Sequence, residues 1–309
     1  MIFVTYRRDR AERLGVLDEP RQHVIDVVAG AEALGTGDAP ATMLEAIEGG
    51  DAALQLAGML RQRSADLPGG VVIPLAEVTL LAPIPRPRKN VFAVGLNYVA
   101  HSAEFTKSDR LPENPIVFTK ASTSIVGPGD AIELRPDLTP AVDYEGELAV
   151  IIGKRGRDIA KERAEEHIFG YAVLNDVTAR DLQKRTSQWF LGKSLDTFCP
   201  MGPYLVHKSE VGWPVRLNVR TTVNGEVRQD ANTDLLYFDI ATLVATISAG
   251  ITLEPGDIIA TGTPEGVGMG FDPPRFLQDG DVVDVEIEKL GRLTNPVTVS
   301  GKVGAATGD

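Results

Sequence analysis

Three glycine–aspartate pairs, each followed by an apolar or alternating run, constrain the fold of this chain more than any other sequence feature. The pairs are Gly129-Asp130, Gly256-Asp257 and Gly280-Asp281. Glycine and aspartate favour tight turns, and short apolar or alternating runs after a turn are typical of strands. Helical periods are few, and the clearest covers residues 241–249 before Gly250. The pattern predicts a β-rich α+β chain with a rolled or barrel-like sheet.

Residues 1–84 are predicted to form a small N-terminal α/β domain. Its first residues alternate as in a strand, and Thr42 with Glu45 has the spacing of a capping box at the start of a helix. The segment 83–87 contains three prolines, which neither a helix interior nor a central strand tolerates. We therefore place a domain boundary there and expect the catalytic domain to occupy residues 85–309.

Charge and cysteine content limit the partners and the compartment. The chain has 43 acidic and 31 basic residues, a net charge of -12. This charge argues against binding to nucleic acid or to an anionic membrane, since both require a positive face. No apolar stretch approaches the length of about 18 residues that spans a bilayer. The single cysteine, Cys199, cannot form an internal disulfide, so we expect a cytoplasmic protein that acts on a small molecule.

The motif Asp143-Tyr144-Glu145-Gly146-Glu147 runs directly into the apolar segment 148–152. In a strand its three carboxylates would project from one face. Buried carboxylates repel one another and their pKa values rise unless a cation neutralises them. Oxygen ligands suit Mg²⁺ or Mn²⁺, with Ca²⁺ as a substitute. The alternative interpretation is a solvated strand edge that discourages aggregation.

Further charged residues could complete such a site. Asp176 follows an apolar run, at a strand end that could supply a third oxygen ligand. Lys120 and Lys193 lie in apolar or glycine-containing surroundings and could hold an anion or enolate, although single lysines more often reach solvent. Arg180 and Gln183 follow Asp176 at helical spacing, so they could bind a substrate carboxylate. An exposed helix surface would show the same spacing.

His101 and Glu104 are spaced to pair within a helical turn, where the carboxylate could orient the imidazole as a general base. A surface ion pair is the alternative. The surrounding polar segment 97–115 is consistent with a mobile lid. The loop 261–268 lacks the ending of a phosphate-binding loop, but the hydroxyl of Thr261 could meet a carboxylate or carbonyl oxygen. A tight turn between strands would account for it equally well.

In this order, these segments resemble the fumarylacetoacetate hydrolase superfamily. The resemblance covers most of residues 88–300, and the N-terminal unit resembles the variable small domain that many bacterial members carry. The matching segments are Val94-Gly95-Leu96-Asn97-Tyr98 with His101 and Glu104, then 143–153, 175–183, 192–203, Val223-Asn224-Gly225 and 256–268.

The resemblance implies a mixed β-roll catalytic domain, a homodimer and bound Mg²⁺ or Mn²⁺. Where fumarylacetoacetate hydrolases proper have a further metal-binding aspartate, this chain has Asn97, which favours the acylpyruvate hydrolase and decarboxylase branch and leaves a fourth protein ligand open. The implied site residues are Glu145, Glu147 and Asp176 for the metal; His101, Glu104 and Lys193 for catalysis; and Arg180, Gln183 and Thr261 for the substrate, to which the residue pattern adds Lys120.

The expected reaction is hydrolysis of a carbon–carbon bond in an acylpyruvate, such as fumarylpyruvate or maleylpyruvate, during aromatic-compound catabolism. His101 and Glu104 would activate water, and the products would be pyruvate and a carboxylic acid. The same enolate chemistry serves oxaloacetate decarboxylation and isomerisation of 2-hydroxyhepta-2,4-diene-1,7-dioate, which stay open as alternatives. The presence of both dyad residues favours hydrolysis. A ligand-binding or scaffold protein without turnover is an alternative of another class.

Overall fold

The computed structural model of the chain describes residues 1–106 and 111–299. Residues 107–110 of the predicted lid lie outside the described residues. The described part is α+β and strand-rich, which confirms the predicted fold class. Within residues 1–106 and 111–299, no helix has both the length and the apolar character needed to cross a bilayer.

The elements follow one another along the chain with short connections. Up to residue 84 they are β1 (Ile2–Arg8), β2 (Ala11–Leu17), β3 (His23–Asp26), α1 (Val27–Leu34), α2 (Met43–Gln62), β4 (Val72–Pro74) and β5 (Thr79–Leu80). Next come β6 (Val91–Gly95), α3 (Val99–Thr106), β7 (Ile116–Lys120), β8 (Ile125–Val126), β9 (Ile132–Leu134), β10 (Val142–Asp143) and β11 (Gly146–Ile152). The rest are α4 (Ala164–His167), β12 (Ile168–Asn175), β13 (Thr178–Ala179), α5 (Arg180–Arg185), α6 (Phe190–Lys193), β14 (Cys199–His207), β15 (Asn218–Val223), β16 (Glu226–Asn232), α7 (Ile240–Ser248), β17 (Ile258–Ala260), β18 (Val282–Ile287) and β19 (Gly291–Val299).

The larger sheet contains strands from both sides of the predicted boundary at residues 84 and 85. Its order is β4-β3-β2-β1-β14-β12-β11-β17-β6-β7, with β5 paired to β1 and β8 paired to β14. Strand β1 joins β14 in antiparallel register, with Ile2 opposite Val206 and Phe3 opposite Leu205. The division into two domains stays a prediction, and the hydrogen-bonded sheet runs across it.

The smaller sheet has the order β16-β15-β18-β19-β9, and β10 pairs with β13. The three glycine–aspartate turns stand directly before β9, β17 and β18, as the sequence predicts. Gly129, Gly256 and Gly280 have φ values of 79°, 87° and 91°, a region that a side chain disfavours. These turns therefore start strands because glycine permits the sharp reversal.

Helix α2 shows how local chemistry sets an element. The Thr42 hydroxyl accepts a hydrogen bond from the Glu45 N–H (3.2 Å), and the Glu45 carboxylate accepts one from the Thr42 N–H (3.3 Å). This is the capping box that the spacing predicts. The helix is kinked at Gly50, where φ is 51°.

Strands β11 and β12 form the centre of the larger sheet, and every one of their residues is buried. Both faces of these strands are covered, which explains their nearly continuous apolar runs. Gly146 at the start of β11 lies opposite Asn175 at the end of β12. Polar residues next to this pair consequently enter the interior of the protein.

Candidate metal and substrate site

The register of β11 and β12 brings three carboxylates together. The Asp176 N–H donates to the Glu145 carbonyl (2.8 Å), and the Glu145 N–H donates to the Asn175 side chain (3.0 Å). One oxygen each from Glu145, Glu147 and Asp176 lies within 4.8 Å of the others, and all three residues are buried. The alternative of a solvated strand edge is therefore wrong.

Buried cations compensate Glu145. The Lys193 ammonium donates to Glu145 (2.7 Å) and to Asp176 (2.8 Å), and the Arg180 guanidinium lies 2.6 Å from the other Glu145 oxygen. Burial by itself raises the pKa of Glu145, but the charges of Lys193 and Arg180 outweigh burial and lower that pKa to about 2. Glu145 is thus a stable carboxylate in the interior.

Glu147 lacks this compensation. Burial, together with the negative charges of Asp176 and Glu145, raises the pKa of Glu147 well above its ordinary value. Its carboxylate accepts the Gly262 N–H (2.8 Å), and no basic side chain in residues 1–106 and 111–299 forms an ion pair with it.

This donor set fits a hard divalent cation. Oxygens bound to one such cation at about 2.1–2.6 Å lie at most about twice that distance apart, and the three oxygens meet this limit. The charge of the cation would compensate Glu147.

Asp143 does not belong to this triad. Strand β10 ends at Asp143 and β11 begins at Gly146, so the expectation that Asp143, Glu145 and Glu147 share one strand face is wrong. The Asp143 carboxylate is fully buried and accepts a hydrogen bond from Arg180 Nε (2.8 Å).

Arg180 and Gln183 lie at the start of α5 and are both buried. Arg180 Nη1 donates to the Gln183 side-chain oxygen (3.2 Å). Arg180 Nη2 is buried and has no hydrogen-bond partner in the described part of the chain. An unpartnered guanidinium N–H in a buried site is costly unless a ligand accepts it, so the arrangement agrees with the predicted substrate contact, which stays a prediction.

Two other predicted substrate contacts have protein partners. The Lys120 ammonium donates to the Asp176 carboxylate and to the carbonyl oxygens of Val177 and Lys193, which uses all three of its N–H groups. The Thr261 hydroxyl donates to the Leu148 carbonyl (3.0 Å). Their contact with substrate stays a prediction, and this geometry favours a role in holding Asp176 and β11 in place.

The predicted dyad is formed. His101 lies in α3, is 4% exposed, and places Nδ1 3.2 Å from the Glu104 carboxylate. The other Glu104 oxygen accepts the Gly266 N–H (3.2 Å). The imidazole is thus oriented by a carboxylate that is itself held by a loop, as a positioned acid–base group requires.

Asn97 does not provide a fourth metal ligand. Its amide nitrogen donates to the carbonyls of Phe238 (3.0 Å) and Thr261 (2.8 Å), and its amide oxygen accepts the Phe238 N–H (2.8 Å). The side chain therefore joins two loops behind the site.

One cavity contains the triad, the cations and the dyad histidine. It also contains Phe118 and Trp189, whose ring centroids lie 5.2 Å apart, and Thr263, none of which the sequence analysis identified. Thr263 is two residues from Thr261, and Trp189 is four from Lys193, so short offsets from predicted residues were the available signal. The lining is Val94, Gly95, Leu96, His101, Phe118, Glu145, Glu147, Arg180, Gln183, Trp189, Lys193 and Thr263.

Comparison with known proteins agrees with this geometry. Residues 90–298 match the family described as fumarylacetoacetate (FAA) hydrolase C-terminal. The chain belongs to the fumarylacetoacetate hydrolase family. This family member is 50% identical over 262 residues to oxaloacetate tautomerase YisK of Bacillus subtilis, which covers 84% of the chain and 87% of the relative.

Solved structures of the family share the whole architecture. Fumarylacetoacetate hydrolase from psychrophilic Exiguobacterium antarcticum is 44% identical, with a TM-score of 0.80, over 97% of this chain and 99% of that one. Maleylpyruvate hydrolase from Sphingobium sp. SYK-6, in complex with manganese(II) ion and pyruvate, is 34% identical, with a TM-score of 0.76, over 97% and 99% of the two chains. The fold expected from the resemblance is confirmed.

Proposed function

We propose that this protein interconverts the enol and keto forms of oxaloacetate with the help of a divalent cation. The observation that carries the proposal is the single cavity that holds Glu145, Glu147, Arg180, Lys193 and His101. A relative with 50% identity bears the name oxaloacetate tautomerase. Isomerisation, one of the alternatives left open by the sequence, is thereby better supported than acylpyruvate hydrolysis.

Glu145, Glu147 and Asp176 would hold Mg²⁺ or Mn²⁺, with Ca²⁺ as a substitute. The bound ion would supply positive charge that favours loss of a proton from the carbon next to the 2-oxo group. Arg180 would bind a substrate carboxylate through Nη2, which lies buried without a partner among the described residues. Gln183, bonded to Arg180, would orient the same carboxylate.

Tautomerisation moves one proton between C3 and the oxygen on C2. Glu104 holds Nδ1 of His101, so His101 would exchange the proton through Nε2. In the direction from keto to enol, His101 would take the C3 proton and deliver it to the C2 oxygen, so that protons balance. Lys193, fixed by Glu145 and Asp176, would stabilise the negative charge that develops between these two steps.

The test measures both candidate reactions on the same protein. Oxaloacetate is delivered as the enol from an aprotic solvent to protein loaded with Mg²⁺ or Mn²⁺, and the loss of enol absorbance is followed. Pyruvate release from fumarylpyruvate, maleylpyruvate, acetylpyruvate and oxaloacetate is measured in parallel. We expect rapid loss of the enol and little pyruvate. Faster pyruvate release from an acylpyruvate than loss of the oxaloacetate enol would contradict the proposal and support hydrolysis.

A homodimer and a cytoplasmic location also belong to the proposal. Val117 on the terminal strand β7 is 41% exposed, and the neighbouring helix α6 exposes 40% of Phe190 and 63% of Leu191. Apolar side chains grouped around an unpaired strand edge support contact with a second copy of the chain. Light scattering in solution tests the dimer, and a monomer at micromolar concentration would contradict it.

A further inference from the structure

Asp143 is the most heavily hydrogen-bonded carboxylate near the cavity that the proposed mechanism does not use. It is fully buried and accepts N–H groups from Arg180 (2.8 Å), Tyr144 (3.0 Å), Gly268 (2.7 Å) and Met269 (3.0 Å). A carboxylate offers about four acceptor positions, and all four are occupied here. Asp143 therefore acts on its neighbours rather than on a ligand.

The first neighbour is the guanidinium of Arg180. Asp143 engages Nε, and Glu145 and Gln183 engage Nη1. The orientation of a planar guanidinium is determined when two of its nitrogens are fixed. This orientation is the one that leaves Nη2 buried and without a protein partner in the described ranges.

The second neighbour is the glycine-rich loop 262–270, which contacts carboxylates in three parts of the site. The Gly262 N–H donates to Glu147 (2.8 Å), the Gly266 N–H to Glu104 (3.2 Å), and the Gly268 and Met269 N–H groups to Asp143. Asp143 therefore anchors the loop that holds Glu104.

Loop 262–270 packs too closely for side chains at two of its glycines. A Cβ atom at Gly268 would come within 2.6 Å of the Asp143 carboxylate, and one at Gly270 would clash with Glu104.

We propose that Asp143 is a positioning residue that aims Arg180 at the substrate carboxylate and, through loop 262–270, holds Glu104 against His101. The inference rests on the proposed function, which it deepens. Loss of one Asp143 oxygen as an acceptor weakens both effects at once. The metal ligands are not altered directly.

The principal variant is Asp143→Asn. It preserves size but replaces an acceptor oxygen with an N–H₂ group, which faces a donor from Arg180, Gly268 or Met269. The matched control is Asp26→Asn. Asp26 is 3% exposed, lies outside the cavity, and likewise accepts from an arginine and a backbone N–H, those of Arg13 (3.1 Å) and Ala29 (2.9 Å).

For activity, we expect Asp143→Asn to lower kcat for oxaloacetate by about 10²-fold, the scale of lost acid–base help, and to raise KM. Asp26→Asn should leave both constants unchanged while lowering Tm. A double-mutant cycle with Arg180→Lys should be non-additive, because Asp143 acts on the carboxylate through Arg180. Additive effects, or equal kinetic losses in both asparagine variants, would reduce Asp143 to a structural residue.

Amide hydrogen exchange tests the inference without substrate or metal. Asp143→Asn should speed exchange in loop 262–270 and in α3 up to residue 104, and Asp26→Asn should not. Unchanged exchange in the loop would overturn the inference even if the wild type is an active tautomerase. An inactive wild type would overturn the proposed function, whereas faster loop exchange would still support the anchoring by Asp143.

A second variant covers the case in which Asp143→Asn does not fold. Gly268→Ala displaces the loop from an intact Asp143, because the added Cβ also meets the Arg275 carbonyl. It should lower kcat with little change in KM, since Arg180 keeps its bond to Asp143. Unchanged kcat in a folded Gly268→Ala protein would overturn the link from the loop to Glu104.

Discussion

Two glutamates only two positions apart, Glu145 and Glu147, have opposite electrostatic surroundings. Glu145 is paired with Lys193 and Arg180, whereas Glu147 has like charges beside it. Alternating acidic residues predicted the shared location. The difference between them could not be predicted, because the cations come from α5 and α6, whose approach to β11 depends on the tertiary fold.

This difference predicts opposite effects on the stability of the metal-free protein. Glu145→Gln should lower the free energy of unfolding by about 3 kcal/mol or more, because two buried cations lose their partner. Glu147→Gln should leave it unchanged or raise it, because burial already favours the neutral form of Glu147. Chemical denaturation with a chelator present measures both. Equal destabilisation by the two variants would contradict this assignment of charges.

The dyad makes a separate prediction about turnover. His101→Ala should reduce the tautomerisation rate by about 10²–10⁴-fold, the usual contribution of a general acid–base group. Calorimetry should show unchanged Mg²⁺ affinity, since His101 is not among the triad carboxylates. The control is His23→Ala, which breaks another pair of histidine and carboxylate, with Asp18 at 2.8 Å. If His101→Ala turned over as fast as His23→Ala, the dyad would have no catalytic role.

At the scale of elements, local chemistry made several features predictable. The turns before β9, β17 and β18 and the start of α2 depend on residues a few positions apart, so the sequence suffices for them. The break between β10 and β11 was not predictable. There the chain changes its pairing partner from β13 to β12, and side-chain periodicity carries no record of which strand lies alongside.

The end of β14 predicts a pH dependence of stability. The His207 ring packs edge-to-face on Phe169, with centroids 5.3 Å apart, and burial lowers the pKa of His207 from 6.5 to about 4. Between these values the unfolded chain binds more protons than the folded one, so the free energy of unfolding falls as pH drops through this window.

His207→Gln should remove this part of the pH dependence. Denaturation curves for both proteins across the window from pH 6.5 to about 4 measure it. The wild type should lose more stability than His207→Gln as the pH falls. Parallel pH profiles would show that protonation of His207 is not linked to unfolding.

At the scale of the whole molecule, the N-terminal residues complete a sheet on which the site depends. Strand β14 bonds to β1 on one side and to β12 on the other, and β12 ends beside Asp176. Periodicity and prolines suggested a boundary near residue 84, but a pattern within one segment cannot reveal that its first strand pairs with a strand about two hundred residues later.

This continuity predicts the behaviour of residues 85–309 expressed alone. Removing β1 would leave β14 with an unpaired edge and uncover buried residues such as Leu205 and Val206. An exposed apolar edge strand favours association between chains, so the fragment should aggregate in size-exclusion chromatography while the full chain stays in a single peak. A soluble fragment that unfolds cooperatively and keeps its Mg²⁺ affinity would instead establish residues 1–84 as a separable domain.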